Sequence, residues 1–392
     1  MVATGRQLVL FQAAIELLVS TQITTPNLIA DREAKLLARY AMHSSESAGR
    51  VHPEIEHLMR GPFQRDRDRV LHSSAFRRLS GKTQVFTGQG DYHRTRLTHT
   101  MEVASIARTI GRSLRLNEDL IEALALLHDI GHPPFGHAGE EALDEMLKHD
   151  GGFSHNKFAL TLVEELEQRY PTFPGLNLTA EVLGGQKRRV DKQQSDGQHS
   201  PLLEVQVVDL ADSITYNAHD VDDAVELGWL RIDELLELPI MAKCHESVLQ
   251  KFGKLEGDVL RRALVHELVN LQVAHLIYES QQTLIELETL SAREVCETGV
   301  RLEIAGPLAE HKAGLQKFLY ARLYRHADLV RARREAQAKI KVLVEILEEN
   351  EQELPEMFRS RCSTHGTRVS VVECIASMTD NTFLETYQRF AG

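Results

Sequence analysis

The chain has 392 residues, 42% of them hydrophobic and 26% charged, and carries a formal net charge of −12. That length can bury a large core in one domain or two, and the charge excludes a generally basic nucleic-acid binder, leaving only a local basic patch. The four cysteines (Cys244, Cys296, Cys362 and Cys374) are scattered without a CxxC pair and read as reduced thiols of a cytoplasmic protein.

Near the N-terminus, Leu8 to Val19 is apolar but interrupted by Gln12 and Glu16. It is too short and too polar to span a bilayer and has no convincing cleavage site, so an amphipathic helix is expected there, within a helical extension over residues 1–31. Positive charge then concentrates in Arg60, Arg65, Arg67, Arg69, Arg77, Arg78, Lys82, Arg94 and Arg96, against Asp66, Asp68 and Asp91. Such a cluster suits a polyphosphate, because arginine forks match phosphate oxygens. The alternative is a solvated helix face with local Arg–Asp pairs, which the RDRDR string fits at least as well for Arg67, Arg69 and Arg94; Arg65 and Arg96 are read as phosphate ligands. A short strand near Gln84–Phe86 is the only candidate for β structure. Val103, Ile106, Ile110 and Leu114 form one stripe of a helix that Thr98 can cap, and Asn117 can cap the next, Leu120–Asp129.

That second helix runs into His128-Asp129 within ALALLHDIGHPPFGHAGEE, where Gly131, Pro133 and Pro134 forbid its continuation. Adjacent histidine and aspartate offer a nitrogen and an oxygen ligand, half of a divalent-metal site. His99 shares a face with Val103 and so points inward; alone it would read as a satisfied core histidine. Lys157–Gln168 reads as helix, and the polar stretch Gly184–Ser200 as an exposed, mobile loop. From Leu203 to Tyr216 another helix places Val205, Val208, Asp212 and Tyr216 on one face. A carboxylate on that face is costly unless salt-bridged or metal-bound. Together His99, His128, Asp129 and Asp212 make a two-nitrogen, two-oxygen set that suits Mn, Fe, Co, Ni or Mg better than a closed structural zinc site, with positions left for water and substrate. Helical periodicity returns over Asp258–Glu288 and Arg325–Glu349, and the fold class is all-α.

Beyond the ligand pair lie His132, His137, Glu140 and His155, groups able to move protons or orient a water. If a new helix begins after Gly136, His137 and Glu140 fall at i and i+3 and can pair. Each histidine could equally be an ordinary loop residue in a chain with 19 of them.

The H…HD…D pattern resembles the HD superfamily of metal-dependent phosphohydrolases. The strings FQRDRDRVLHSSAFRRLSGKTQVF, RTRLTHTMEVA, HDIGHPPFGHAGEEAL, VVDLADSITYNAHDVDDA and SMTDNTF are together similar to the bacterial dGTPase-like deoxynucleoside triphosphate triphosphohydrolases, from about Arg32 to near the C-terminus. The resemblance implies an HD-domain core over residues 32–230 and a C-terminal helical region over 231–392 packed on it. It implies catalytic roles for His137, Glu140, His132 and His155, and metal ligation by His99, His128, Asp129 and Asp212. Substrate contacts would come from Arg65, Arg78, Leu79, Arg96, Tyr216 and Asp220, with Tyr216 close beneath the sugar and Arg78 and Leu79 near its 3′ side. The implied reaction is metal-dependent hydrolysis of a deoxynucleoside triphosphate to deoxynucleoside and inorganic triphosphate, by a homo-oligomer that responds to a nucleotide activator. Two departures stand out: GGQKRR replaces a charged Lys-His segment, and Glu373-Cys374 replaces Asp-Tyr. Two other readings remain: a different HD-type nucleotidase or phosphodiesterase, and a catalytically idle regulator binding nucleotide or single-stranded nucleic acid.

Overall fold

The computed structural model describes residues 25–55, 57, 59–84, 94–190 and 199–391. The expected N-terminal amphipathic helix, Leu8–Val19, lies outside them. Among the described residues there is no strand, only isolated bridges such as Thr83 with Thr95, and the chain is all-α. Phe86 lies outside the described residues, so the short strand suggested there reduces to the Thr83 bridge. No described helix is long and apolar enough to cross a membrane.

The helices that frame the site are α1 (Pro62–Leu71), α2 (Arg96–Ser113), α3 (Glu118–Leu127), α4 (Gly136–Met146), α5 (His155–Thr161), α6 (Ala180–Val190) and α7 (Leu203–Glu226). Behind them stand α8 (Gly257–Ile285), α9 (Gly306–Arg322), α10 (Ala327–Glu349), α11 (Thr367–Ala376) and α12 (Asp380–Ala391). Helices α1, α2, α6 and α7 pack around α3, burying Leu120, Ile121, Leu124 and Leu127 together and leaving only Glu118, Asp119 and Glu122 of its first turns partly exposed. Asn117 caps α3 by accepting from Leu120 N, as its side chain allows. The cap of α2 is Thr95, whose hydroxyl accepts from Thr98 N, one turn before the expected Thr98. The helix therefore starts at Arg96 and carries both Arg96 and His99 on its buried face.

Two segments differ from expectation. The helix over Lys157–Gln168 divides: α5 ends at Thr161 and a π turn follows over Leu162–Leu166. The stretch from Gly184 is not a loop up to Val190 but the second half of α6, and residues 191–198 lie outside the described set. Glycine there serves close packing rather than flexibility. A Cβ at Gly185 would meet Leu124 Cδ2 at 2.5 Å and Val205 at 3.0 Å, so only glycine lets α6 lie against α3 and α7. The boundary expected after residue 31 falls inside the helix Thr25–Leu36.

Candidate metal centre

Helix α3 stops at Leu127 and His128 serves as its C-cap, so the turn His128–Phe135 is held over the end of the helix. Gly131 makes that turn possible, because a Cβ would lie 2.0 Å from His155 O and 2.6 Å from Ala159 N on α5. At its far end Phe135 takes a left-handed conformation, φ 61°, rare for an aromatic residue. Two contacts hold it: its N–H donates to Asp380 Oδ1 at 3.0 Å, and its ring stands edge-on to Phe383 at 5.2 Å. Lys82, fully enclosed, donates to the His132 and Ala376 carbonyls and ties the same turn to α11.

His128 donates from Nδ1 to the Ala125 carbonyl at 2.6 Å, which leaves Nε2 bare. That atom is buried and has no hydrogen-bond partner among the described residues, yet it lies 3.4 Å from Asp129 Oδ1 and 3.8 Å from Asp212 Oδ1. His99 Nε2 stands 3.0 Å from the same Asp212 oxygen. A lone pair buried among carboxylate oxygens is costly unless a cation joins them, so these four residues fit a divalent ion. Burial pushes the Asp212 carboxyl up, but the His99 and His128 imidazoles beside it outweigh that and hold the group at about 2. Its side chain is still 41% exposed, toward the cavity. Burial lowers His128, keeping its imidazole neutral and able to ligate.

Next to this group Arg96 Nη1 donates to Asp129 Oδ2 at 2.8 Å, both side chains buried, and Arg96 Nε has no partner among the described residues. His132 stacks on His155 (centroids 3.7 Å apart) and stands edge-on to His137 at 5.6 Å. Burial, then Arg96, hold His132 well below the usual histidine range. Glu140 binds His155 firmly, accepting from its Nδ1 at 2.7 Å and its backbone N at 2.9 Å, and reaches His137 only at 3.4 Å. The carboxylate therefore orients His155 more tightly than the His137 with which its spacing pairs it. His137 itself is 53% exposed at the mouth of the cavity.

His99, His128, Asp129, Asp212, Arg96, His132, His137, His155 and Tyr216 all line one cavity of about 200 Å³. Sequence reasoning missed four further members of its wall, Gln84, Asn156, Arg189 and Asp209. Asn156 follows His155, and Arg189, held by Asp209 at 2.8 Å, comes from the part of α6 read as a loop. Outside the lining, on α9, Lys312 is buried, and burial pushes its ammonium down to about 8, with Asp212 opposing. Beneath Tyr216, Tyr324 hydrogen-bonds both Tyr216 and Asp220, while Asp220 Oδ1 is buried with no partner among the described residues. Tyr324 lies more than a hundred residues after Tyr216, and nothing in the local pattern marks it.

Arg65, Arg78 and Leu79 are not brought into this cavity. Arg65 pairs with Glu54 (3.5 Å) and donates to Ile55 O, Leu79 is sealed in the core, and Arg78 lines a separate hollow beside Phe358 and Met378. Arg67, Arg69 and Arg94 are all engaged by carboxylates: Arg67 by Asp68, Asp119 and Glu122, Arg69 by Glu54, and Arg94 by Asp222 and Asp223. A larger hollow of about 760 Å³ opens beside Arg67, Arg108 and Arg112. Those three arginines are matched by Glu118, Asp119 and Glu122, and among the described residues the hollow brings together none of the metal-type groups. The metal-type groups gather in the smaller cavity.

Residues 96–217, which contain all four candidate ligands, match the HD domain, and residues 302–389 match a phosphohydrolase-associated domain. The chain is similar to the deoxyguanosinetriphosphate triphosphohydrolase-like protein of Ralstonia pickettii, 38% identical over 365 residues that cover 90% of this chain and 94% of the relative. The protein of that name from Leptospira interrogans is 37% identical over 92% of this chain and 97% of its own length. That from Thiobacillus denitrificans is 40% identical over 90% and 96%.

Proposed function

This chain belongs to the deoxyguanosinetriphosphate triphosphohydrolase-like family of HD-domain proteins, and from that membership we propose that it hydrolyses deoxynucleoside triphosphates to deoxynucleoside and inorganic triphosphate. The observation that carries the proposal is one cavity in which unpartnered imidazole nitrogens, two carboxylates, buried cations and further histidines converge. His99, His128, Asp129 and Asp212 would hold a divalent ion, whose chemistry when bound is to polarise a phosphoryl oxygen and yield a hydroxide near neutral pH.

The chain's own groups supply the rest. Arg96, fixed by Asp129, and Arg189, fixed by Asp209, present guanidinium forks to phosphate oxygens. His137, at the open mouth, would hand a proton to the leaving 5′ oxygen, with Glu140 beside it at 3.4 Å. His132 and His155, stacked beside it, orient water and the α-phosphate. Tyr216 and Tyr324 floor the sugar position and leave little room for a 2′-hydroxyl, while Asp220 Oδ1 is free to pair with a sugar hydroxyl. In this reading residues 32–230 carry the catalytic core, residues 231–392 brace it, and the active species is a homo-oligomer subject to a nucleotide activator.

The test is product analysis by ion-exchange chromatography with Mn or Mg, using each deoxynucleoside triphosphate alone and in mixtures so that an activator is not missed. Triphosphate plus deoxynucleoside is expected. Monophosphate or pyrophosphate would move the activity to another HD-type hydrolysis, and no product in any mixture would make the chain a binding protein.

A further inference from the structure

Behind His99, on the side away from the cavity, a second imidazole and a carboxylate follow in line. His219 Nε2 donates to Glu102 Oε2 at 2.5 Å, and His219 Nδ1 lies 3.4 Å from His99 Nδ1 with the two rings edge to face. His219 is buried, whereas the Glu102 side chain is half exposed. Neither residue touches the cavity, and the reaction proposed above assigns them nothing.

The proton count makes this arrangement directional. A neutral imidazole owns one N–H. The Glu102 carboxylate accepts only, so it fixes the His219 proton on Nε2 and leaves Nδ1 an acceptor. The group facing that acceptor is His99 Nδ1, which must then carry the His99 proton. His99 Nε2 is thereby bare, and it faces Asp212 Oδ1 at 3.0 Å: two acceptors with no proton between them. Such a pair repels unless a cation lies against both. On the other side of the cavity His128 reaches the same state by a different route, because the Ala125 carbonyl holds its Nδ1 proton.

We propose that Glu102 and His219 are positioning residues that set the His99 tautomer and so make the His99–Asp212 pair a divalent-cation site. The proposal rests on the reading of His99, His128, Asp129 and Asp212 as metal ligands. Residues behind a metal-bound histidine commonly govern affinity by about 10- to 100-fold, which sets the size of the effect.

Manganese binding to the whole chain is titrated by electron paramagnetic resonance for wild type, Asp129→Ala, His219→Phe, His219→Gln and Glu102→Gln, with thermal denaturation as the check on folding. Asp129→Ala should abolish the site. His219→Phe should weaken it by about 10- to 100-fold, while His219→Gln should stay close to wild type, since its amide can donate to Glu102 and accept from His99. Glu102→Gln, on a half-exposed side chain, should fall between them and carries the test if His219→Phe does not fold. In metal-free protein, nitrogen-15 spectra should show His99 protonated at Nδ1, and a mixture of tautomers in His219→Phe. If Asp129→Ala loses manganese while His219→Phe and Glu102→Gln bind as wild type, the relay is overturned and the metal reading stands. If Asp129→Ala binds manganese as wild type does, the metal reading falls and takes the relay with it.

Discussion

At the scale of single residues, the metal and proton-transfer assignments separate cleanly. Asp129 touches Arg96 and His132 and faces the bare His128 nitrogen, so Asp129→Ala should lose manganese and turnover together. His137 is half exposed and no nearer to that cluster than the His132 ring edge, so His137→Ala should keep the metal and lose kcat by about 10²- to 10⁴-fold. Equal loss of metal in both variants would sink the division of roles. Asp220 gives a test by pH. Burial lifts its carboxyl to about 8, against roughly 3.9 in an unfolded chain. The folded protein thus holds a proton that the unfolded chain releases, and the stability this confers is complete below about pH 4 and lost as pH rises through about 8. Asp220→Asn has no such dependence, so its Tm relative to wild type should climb from about pH 5 to pH 8. A flat or falling difference would mean that the carboxyl is ionised in the fold.

At the scale of elements, what the sequence shows depends on whether one helix or several decide the outcome. The end of α3, its Asn117 cap, the turn through Gly131 and the restart at Gly136 are local signals, and they place His128, Asp129, His137 and Glu140 correctly along the chain. Helix α6 is the opposite case. Gly184-Gly185 followed by charged residues has the composition of a loop, and only the closeness of Leu124 and Val205 explains why glycine is needed inside a helix. Missing that helix meant missing Arg189, which the last turn of α6 delivers to the cavity. Arg189→Gln should therefore raise KM for the triphosphate about tenfold or more, the scale of one lost charge-assisted bond, while leaving manganese affinity and Tm near wild type. An unchanged KM would return Arg189 to a purely structural pair with Asp209. In the RDRDR helix the local reading of Arg–carboxylate pairs holds for Arg67 and Arg69, but not the solvated face, because Asp66 is wholly buried on Thr179 and Arg50, and Arg65 is spent on Glu54 rather than free for phosphate. The left-handed Phe135 was invisible for a different reason: it is sustained by Asp380, nearly 250 residues away. Asp380→Ala strands the N–H of Phe135, which should cost about 1–3 kcal/mol in a denaturant titration. It should also lower kcat without releasing manganese.

At the scale of the whole molecule, the C-terminal helices are part of the site rather than an attachment to it. Helix α10 lies along α4, the helix of His137 and Glu140, and buries Ile340, Leu343, Val344 and Leu347 in the same core that takes Ala142 and Leu143. The ion pairs Arg333–Glu141 and Lys341–Glu145 that accompany this packing are exposed and add little; the apolar contact and the Lys82 and Asp380 anchors do the joining. A core shared in this way should unfold as one unit despite the length of the chain. The chain contains a single tryptophan, Trp229, which in the proposed division closes the 32–230 half and stacks on His326 of the 231–392 half with ring centroids 4.3 Å apart. Its fluorescence therefore reports docking of the halves, whereas far-ultraviolet circular dichroism reports helix throughout. In a urea titration the two signals and the activity should change at the same midpoint. If fluorescence moves first while ellipticity persists, the halves separate before either melts, and the C-terminal helices would then be a dispensable brace whose removal at residue 301 leaves a folded catalytic core.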